Sequence, residues 1–265
     1  MRLVASDIDG TILDHTGIIR PRVVEAFRAC RTAGIEVVFV TGRPFRWVTP
    51  LEDQLDHAGT VICSNGSLIY DLANRKVLNT HAISVQDASR AARALRAAAP
   101  DVVFALETLD GFRAEPAYAG RGEVPAAGEV TQFDDLLTGE PTIVKMLAHL
   151  PNGNSDELLA LAAPVISDFV SPTHSSPNGA LIEIAPRGVN KSRSLAEYAE
   201  MLGIGPEDVV AFGDMPNDLE MLGWAGRGYA MADGHPAAIA AAHDVAPALL
   251  EDGVAQVLER ILGEP

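Results

Sequence analysis

Short runs of apolar, often β-branched residues, each closing on a small or polar residue, recur at Leu3 to Ser6, Ile35 to Thr41, Val61 to Ser64 and Val209 to Phe212. Runs of this length without polar alternation predict strands buried on both faces, as in a parallel sheet. Between the first two lies a helical stretch, Pro21 to Ala33. Its proline suits a first helical turn, and Gly34 suits the residue beyond the last one. Strand and helix therefore alternate, which predicts an α/β protein with a doubly wound, Rossmann-like parallel sheet and right-handed crossovers.

The pattern changes in the middle of the chain. After Thr80 comes an Ala/Arg-rich helix, Gln86 to Ala99, then a strand at Val102 to Leu106, the turn Leu109-Asp110-Gly111 and a loop-like stretch to about Val130. Strands are predicted at Thr142 to Leu150 and Leu181 to Ile184, with a helix near Ser155 to Ala163 between them. This block reads as an inserted α+β domain over residues 83–186, ending at the turn signal Ala185-Pro186-Arg187-Gly188. Residues 1–82 and 187–265 then form the remainder, which resumes the alternation at Asn190 and closes on an amphipathic helix, Val254 to Leu262.

Composition narrows the function. With 265 residues and 48% hydrophobic content the chain can bury a substantial core. A formal net charge of −16 disfavours nucleic acid, whose recognition relies on clustered Lys and Arg. The same carboxylate excess repels phosphorylated small molecules, so a phosphate site in this chain needs a local cation, which a divalent metal would supply. Cys30 and Cys63 have no metal-binding or redox spacing and read as buried, reduced thiols. Only Leu3-Val4-Ala5 precedes the first acidic residue, and no apolar run of about 18 residues follows. The expectation is a cytoplasmic protein without a membrane partner.

Three predicted strands end in unusual polar residues, Asp7, Thr41 and Asp214, and in an open parallel sheet such ends converge on one crevice. In Asp7-Ile8-Asp9-Gly10-Thr11, two carboxylates two residues apart could divide nucleophilic attack from acid–base work, with backbone N–H groups at Gly10 and Thr11 turned toward an anion. The same composition also makes an ordinary turn. Gly213-Asp214-Met215-Pro216-Asn217-Asp218 adds hard oxygen ligands of the kind Mg²⁺ prefers, or alternatively an N-terminal helix cap. Thr41-Gly42-Arg43 offers a hydroxyl and a guanidinium to phosphate oxygens. Lys191 stands at a predicted helix start, where it opposes the macrodipole and could equally be a solvated surface cation.

Taken in order, D-x-D-G-T at 7–11, T-G-R at 41–43, G-V-N-K ending at Lys191 and G-D-x-x-N-D at 213–218 resemble the four motifs of the haloacid dehalogenase superfamily. Ser64-Asn65-Gly66 and the large insert resemble its Cof-type branch with a type IIB α/β cap. The resemblance implies a phosphatase that forms an aspartyl phosphate on Asp7, with Asp9 as general acid and base and Thr41 and Lys191 holding phosphate oxygens. It implies Mg²⁺ as cofactor, held by Asp7, Asp9 through its carbonyl, and Asp214. Asp218 would orient Lys191 or a metal-bound water. Phosphate and substrate contacts are expected from Ile8, Gly10, Gly42, Arg43, Asn65 and Asn217. The expected partner is a small phosphorylated metabolite such as a sugar phosphate, with a homodimer as a possible assembly.

Candidates for choosing the leaving group are Arg113, Arg121, His174, Ser175, Ser176 and Asn178 in the insert, with Arg46 beside Arg43 and Asn65, although polar loop residues are commonly just solvated. Ala232-Asp233 departs from the family pattern, which has glycine and asparagine there, and adds a carboxylate near the expected site. Two other readings stay open: a phosphomannomutase-like phosphotransferase, and a noncatalytic phosphate-binding regulator.

Overall fold

A computed structural model describes residues 1–56, 59–119, 128–176 and 179–263. The chain divides into two compact units, Met1–Asn79 with Asn190–Pro265, and Thr80–Val189.

The first unit opens with β1 (Leu3–Ser6), β2 (Glu36–Val40), β3 (Thr60–Cys63), β4 (Leu68–Asp71) and β5 (Lys76–Thr80). The second unit contributes β6 (Val103–Thr108), β7 (Gly111–Ala114), β8 (Glu129–Val130), β9 (Ile143–His149), β10 (Val170–Thr173) and β11 (Leu181–Pro186). The chain then returns to the first unit for β12 (Val209–Gly213), β13 (Arg227–Met231) and β14 (Asp244–Ala246).

In the first unit eight strands lie in the order β14-β13-β12-β1-β2-β3-β4-β5. From β14 to β3 every neighbouring pair is parallel, and β4 turns back antiparallel on β3. The doubly wound sheet read from the sequence is borne out. Alternate side chains of β1, β2 and β12, among them Leu3, Ala5, Val38, Val40 and Ala211, form one apolar layer with Leu195 and Tyr198 of the Lys191–Met201 helix and Met221 of the Leu219–Trp224 helix. The intervening positions point the other way: the Phe39 ring meets Phe27 of the Pro21–Thr32 helix edge-on at 5.2 Å, and Phe212 stacks on Tyr229 at 5.5 Å. Helices on both faces explain why these strands carry no polar alternation.

The second unit is a six-stranded sheet in the order β10-β11-β9-β6-β7-β8. Its pairs are antiparallel except β7 with β8. Two helices, Val85–Ala98 and Ser155–Ile166, pack on one face against Phe104, Leu106, Met146, Ile182 and Ile184. Each begins on a side-chain cap: Ser84 Oγ accepts from the Asp87 N–H and Asn154 Oδ1 from the Glu157 N–H.

One expectation is corrected, and two strands lie where the sequence pattern predicts none. The stretch after Gly111 holds β7, a short helix at Pro116–Ala119 and β8, so it is not simply a loop; β7 is too short for its alternation to register. β10 carries Pro172, which argues against a strand in a sequence reading, but it lies at the sheet's edge where a missing N–H costs no ladder bond. β5 is exposed over Lys76–Asn79, and its adjacent Val77 and Leu78 make no apolar–polar alternation; its place at the edge of the first sheet makes it a strand.

The edge-on Phe27–Phe39 contact seals one helical layer to the sheet, and both rings are fully buried. Phe27→Ala is expected to cost about 3–5 kcal/mol of unfolding free energy, read from urea denaturation at unchanged slope.

Candidate active site

Four neighbouring parallel strands deliver their carboxyl ends to one edge of the first unit's sheet. Asp7 follows β1, Thr41 follows β2, Ser64-Asn65-Gly66 follows β3 and Asp214 follows β12. Cross-strand bonds anchor these ends, since the Asp7 N–H donates to Phe212 O at 3.0 Å and the Thr41 N–H to Ile62 O at 2.8 Å. Backbone pairing therefore sets where the polar side chains emerge.

Lys191 is wholly buried at the first position of its helix. Its Nζ donates to Asp7 Oδ1 and, at 2.7 Å, to Asp218 Oδ1. Burial alone would pull this ammonium down, but Asp218 and Asp7 outweigh it and hold it above its ordinary value. The solvated-cation reading of Lys191 is thus excluded, and the neighbouring carboxylates offset the macrodipole. Asp218 Oδ2 accepts from the N–H groups of Asp214 and Met215, both at 3.0 Å, so both its oxygens are engaged.

Asp7 and Asp214 are less well compensated. Burial, then the like charges of Asp218, Asp214 and Asp9, push Asp7 well above the usual carboxylate range against the pull of Lys191. Burial and Asp218 raise Asp214 to about 7, opposed by a 2.9 Å bond from Thr11 Oγ1.

Close backbone approach dictates the glycines. At Gly10, with φ +80°, an added Cβ would sit 2.3 Å from Asp214 Oδ2. At Gly66, with φ +101°, it would sit 2.3 Å from Asn190 O. Gly66 ends a run of left-handed residues, Ser64 (φ 51°) and Asn65 (φ 54°), held by bonds from Ser64 N–H to Arg43 O and from Asn65 N–H to Thr41 O, both 3.0 Å. Ser194 Oγ, donating to Gly66 O at 2.6 Å, ties the same turn to the Lys191 helix.

Beside this charged group lie two polar pairs. The Arg43 guanidinium grips Asp9 with both prongs, Nε to Oδ2 at 2.7 Å and Nη2 to Oδ1 at 2.6 Å, while the Arg43 N–H donates to Thr41 Oγ1 at 3.0 Å. Asn217 Nδ2 donates to Asn65 Oδ1 at 3.0 Å; buried Asn217 Oδ1 has no partner among the described residues.

The donor set fits a hard divalent cation. Carboxylate oxygens of Asp7, Asp214 and Asp218 lie within 4.8 Å of one another, and buried Lys191 cannot neutralise all three. Mg²⁺ takes such oxygens, and a cation held by this cluster would offset the burial and the like charge of Asp218 that raise Asp7 and Asp214.

Of the sequence candidates, Asp7, Asp214, Asp218 and Lys191 meet directly, and Asp9 joins Arg43 at the rim with its side chain half-exposed. Sequence reasoning gave no specific partner for Thr11, and it missed Ser194 and the Asn190 side chain, which caps the Lys191 helix by accepting from the Arg193 N–H. The N-cap asparagine before Lys191 was the available signal. In the second unit, Arg113 donates to Leu136 O and Thr138 O, buried His174 bonds Asp156 at 2.9 Å and Ser175 bonds Glu183 at 3.2 Å. Ser176 is exposed, and Arg121 and Asn178 lie outside the described residues. In the first unit, Arg46 lies over the Trp47 ring. Exposed Asp233 accepts from the Leu249 N–H at 3.2 Å, so the departure at this position serves a turn.

The family described as haloacid dehalogenase-like hydrolase matches residues 4–258. The chain is 28% identical to the 5-amino-6-(5-phospho-D-ribitylamino)uracil phosphatase YcsE of Bacillus subtilis, covering 97% of this chain and 94% of that one. It is likewise 28% identical to the phosphoglycolate phosphatase of Methanothermobacter thermautotrophicus, over 99% of this chain and all of the other. Among solved structures, the subclass IIB sugar phosphatase BT4131 shares the fold with a TM-score of 0.83 at 22% identity, covering 98% of this chain and 99% of that one.

The raised Asp214 carboxyl has a measurable consequence in metal-free protein. Its folded value of about 7 lies above the unfolded value of 3.8, so its contribution to stability is complete below pH 3.8 and is lost as pH rises through about 7. Asp214→Asn, in EDTA, is expected to match the parent near pH 4 and exceed it in urea midpoint at pH 8. Mg²⁺ is expected to raise the urea midpoint of the parent and to leave that of Asp214→Asn unchanged.

Proposed function

The chain belongs to the haloacid dehalogenase-like hydrolase family, and on that premise we propose that it is a Mg²⁺-dependent phosphatase that hydrolyses a small phosphomonoester through an aspartyl phosphate on Asp7. The observation that carries this reading is Lys191, fully buried between Asp7 and Asp218 at the carboxyl edge of the sheet. An ammonium placed there at high desolvation cost has a use if phosphoryl oxygens arrive beside it.

Asp7 attacks phosphorus through a carboxylate oxygen. The bond to the leaving oxygen breaks, its electron pair stays on that oxygen, and Asp9 supplies a proton to it. Water then attacks the phosphoryl group, Asp9 takes the water's proton, and the bond to Asp7 breaks to release inorganic phosphate. Lys191 and the Thr41 hydroxyl hold phosphoryl oxygens, with Asn217 and the backbone of Ile8, Gly10 and Gly42 around them. Asp218 holds Lys191 in place from behind. Asp7, the Asp9 carbonyl and Asp214 would hold Mg²⁺, which supplies positive charge to the transferring group and lets Asp7 stay ionised as a nucleophile.

The substrate class rests on charge and kinship. A chain of net charge −16 has little general attraction for polyanions, so a small phosphomonoester drawn to one local cationic site is favoured over nucleic acid. The named relatives are phosphatases of small metabolites, which supports the same class here. A sugar phosphate is our preferred substrate, and residues 80–189 are the proposed specificity unit.

Purified protein with Mg²⁺ should release phosphate from an aryl phosphate and from members of a sugar-phosphate panel, and EDTA should stop it. Asp7→Asn should lower kcat at least about 10³-fold while the protein stays folded. Near-parental turnover by that variant would overturn the mechanism.

A further inference from the structure

Arg43 looked, from its sequence position, like a phosphate ligand, but its contacts assign it other work. Nε and Nη2 are both spent on Asp9, one on each carboxylate oxygen, at 2.7 and 2.6 Å. Its backbone N–H is spent on the Thr41 hydroxyl at 3.0 Å. One residue thus ties together the two groups that, on the reading above, flank the transferring phosphoryl: the proton carrier and a hydroxyl donor.

The Asp9 side chain needs such a tether. It is 51% exposed while Asp7, two residues earlier, is buried, so packing does little to restrict its rotation. Arg43 is the better placed of the pair to be rigid, with a side chain 25% exposed and a backbone held between Thr41 and Ser64. A planar fork meeting a carboxylate through two parallel bonds fixes its plane as well as its position, which an ammonium cannot do. Resting on the phosphatase reading, we infer that Arg43 is a positioning residue for Asp9: it aims the carboxyl that protonates the leaving oxygen and does not bind the phosphate.

The consequence is selective by leaving group. A good leaving group departs without a proton, whereas an alkyl alcohol needs one as the bond breaks. For Arg43→Ala and Arg43→Lys, kcat/KM is expected to fall about 10²-fold on an alkyl phosphate such as a hexose phosphate. On 2,4-dinitrophenyl phosphate it should fall by no more than about threefold, and inhibition by orthovanadate should change as little. Lysine should fail nearly as badly as alanine, because charge without the fork does not orient Asp9. The decisive control is a cycle with Asp9→Asn: in that background Arg43→Ala should cost nothing further on either ester.

An equal loss on both esters, or weakened orthovanadate binding with unchanged leaving-group dependence, would overturn the inference and leave the phosphatase reading standing. So would additive losses in the cycle, which remains readable if the alanine variant is destabilised. Absence of Mg²⁺-dependent turnover by the parent on every ester would overturn both.

Discussion

The site depends on one buried ammonium. Lys191 has no access to solvent, and two carboxylates from distant segments, Asp7 and Asp218, close on it. Removing the ammonium itself would leave two carboxylates uncompensated in a low-dielectric interior, at a cost of about 3–5 kcal/mol. The Lys191 helix, β1 and the turn after β12 are therefore held in one register by electrostatics as well as by packing. Asp218 also collects two backbone N–H groups, so it shapes the turn that presents Asp214.

Around that centre the polar groups are arranged unequally. Asp218 has both oxygens engaged, whereas Asp7 and Asp214 are each pushed upward by burial and by the like charge of Asp218. This imbalance is stored where it can be used: a divalent cation with oxygen-donor preference would remove it. The chain's acidic composition leaves the surface at large without attraction for a phosphate, so on the proposed reading that attraction would rest on Lys191 and a cation held by these carboxylates.

Backbone geometry does much of the positioning. The left-handed turn Ser64-Asn65-Gly66 persists because Thr41, Arg43 and Ser194 each hold part of it, and Gly66 lets the Asn190 carbonyl come close. Strain of this kind, distributed over three elements, links the ends of β2 and β3 to the helix that carries Lys191. The polar cluster described by these contacts is built from residues of the first unit, with its eight-stranded sheet as scaffold.

The sequence by itself determined the buried strands, the order of the four polar segments and their place at strand ends, because apolar runs and turn residues report local structure directly. It also identified Asp7, Asp214, Asp218 and Lys191 as a set, through spacing within short segments and resemblance across them. Only the tertiary structure decided which groups touch. That Lys191 is buried and not solvated, that Arg43 grips Asp9, and that Asp233 serves a turn are outcomes of contacts between residues far apart in the chain. Edge strands such as β5 and β10 were hidden for a related reason: a strand with few buried side chains is specified by the neighbour it pairs with, and no local pattern records that neighbour.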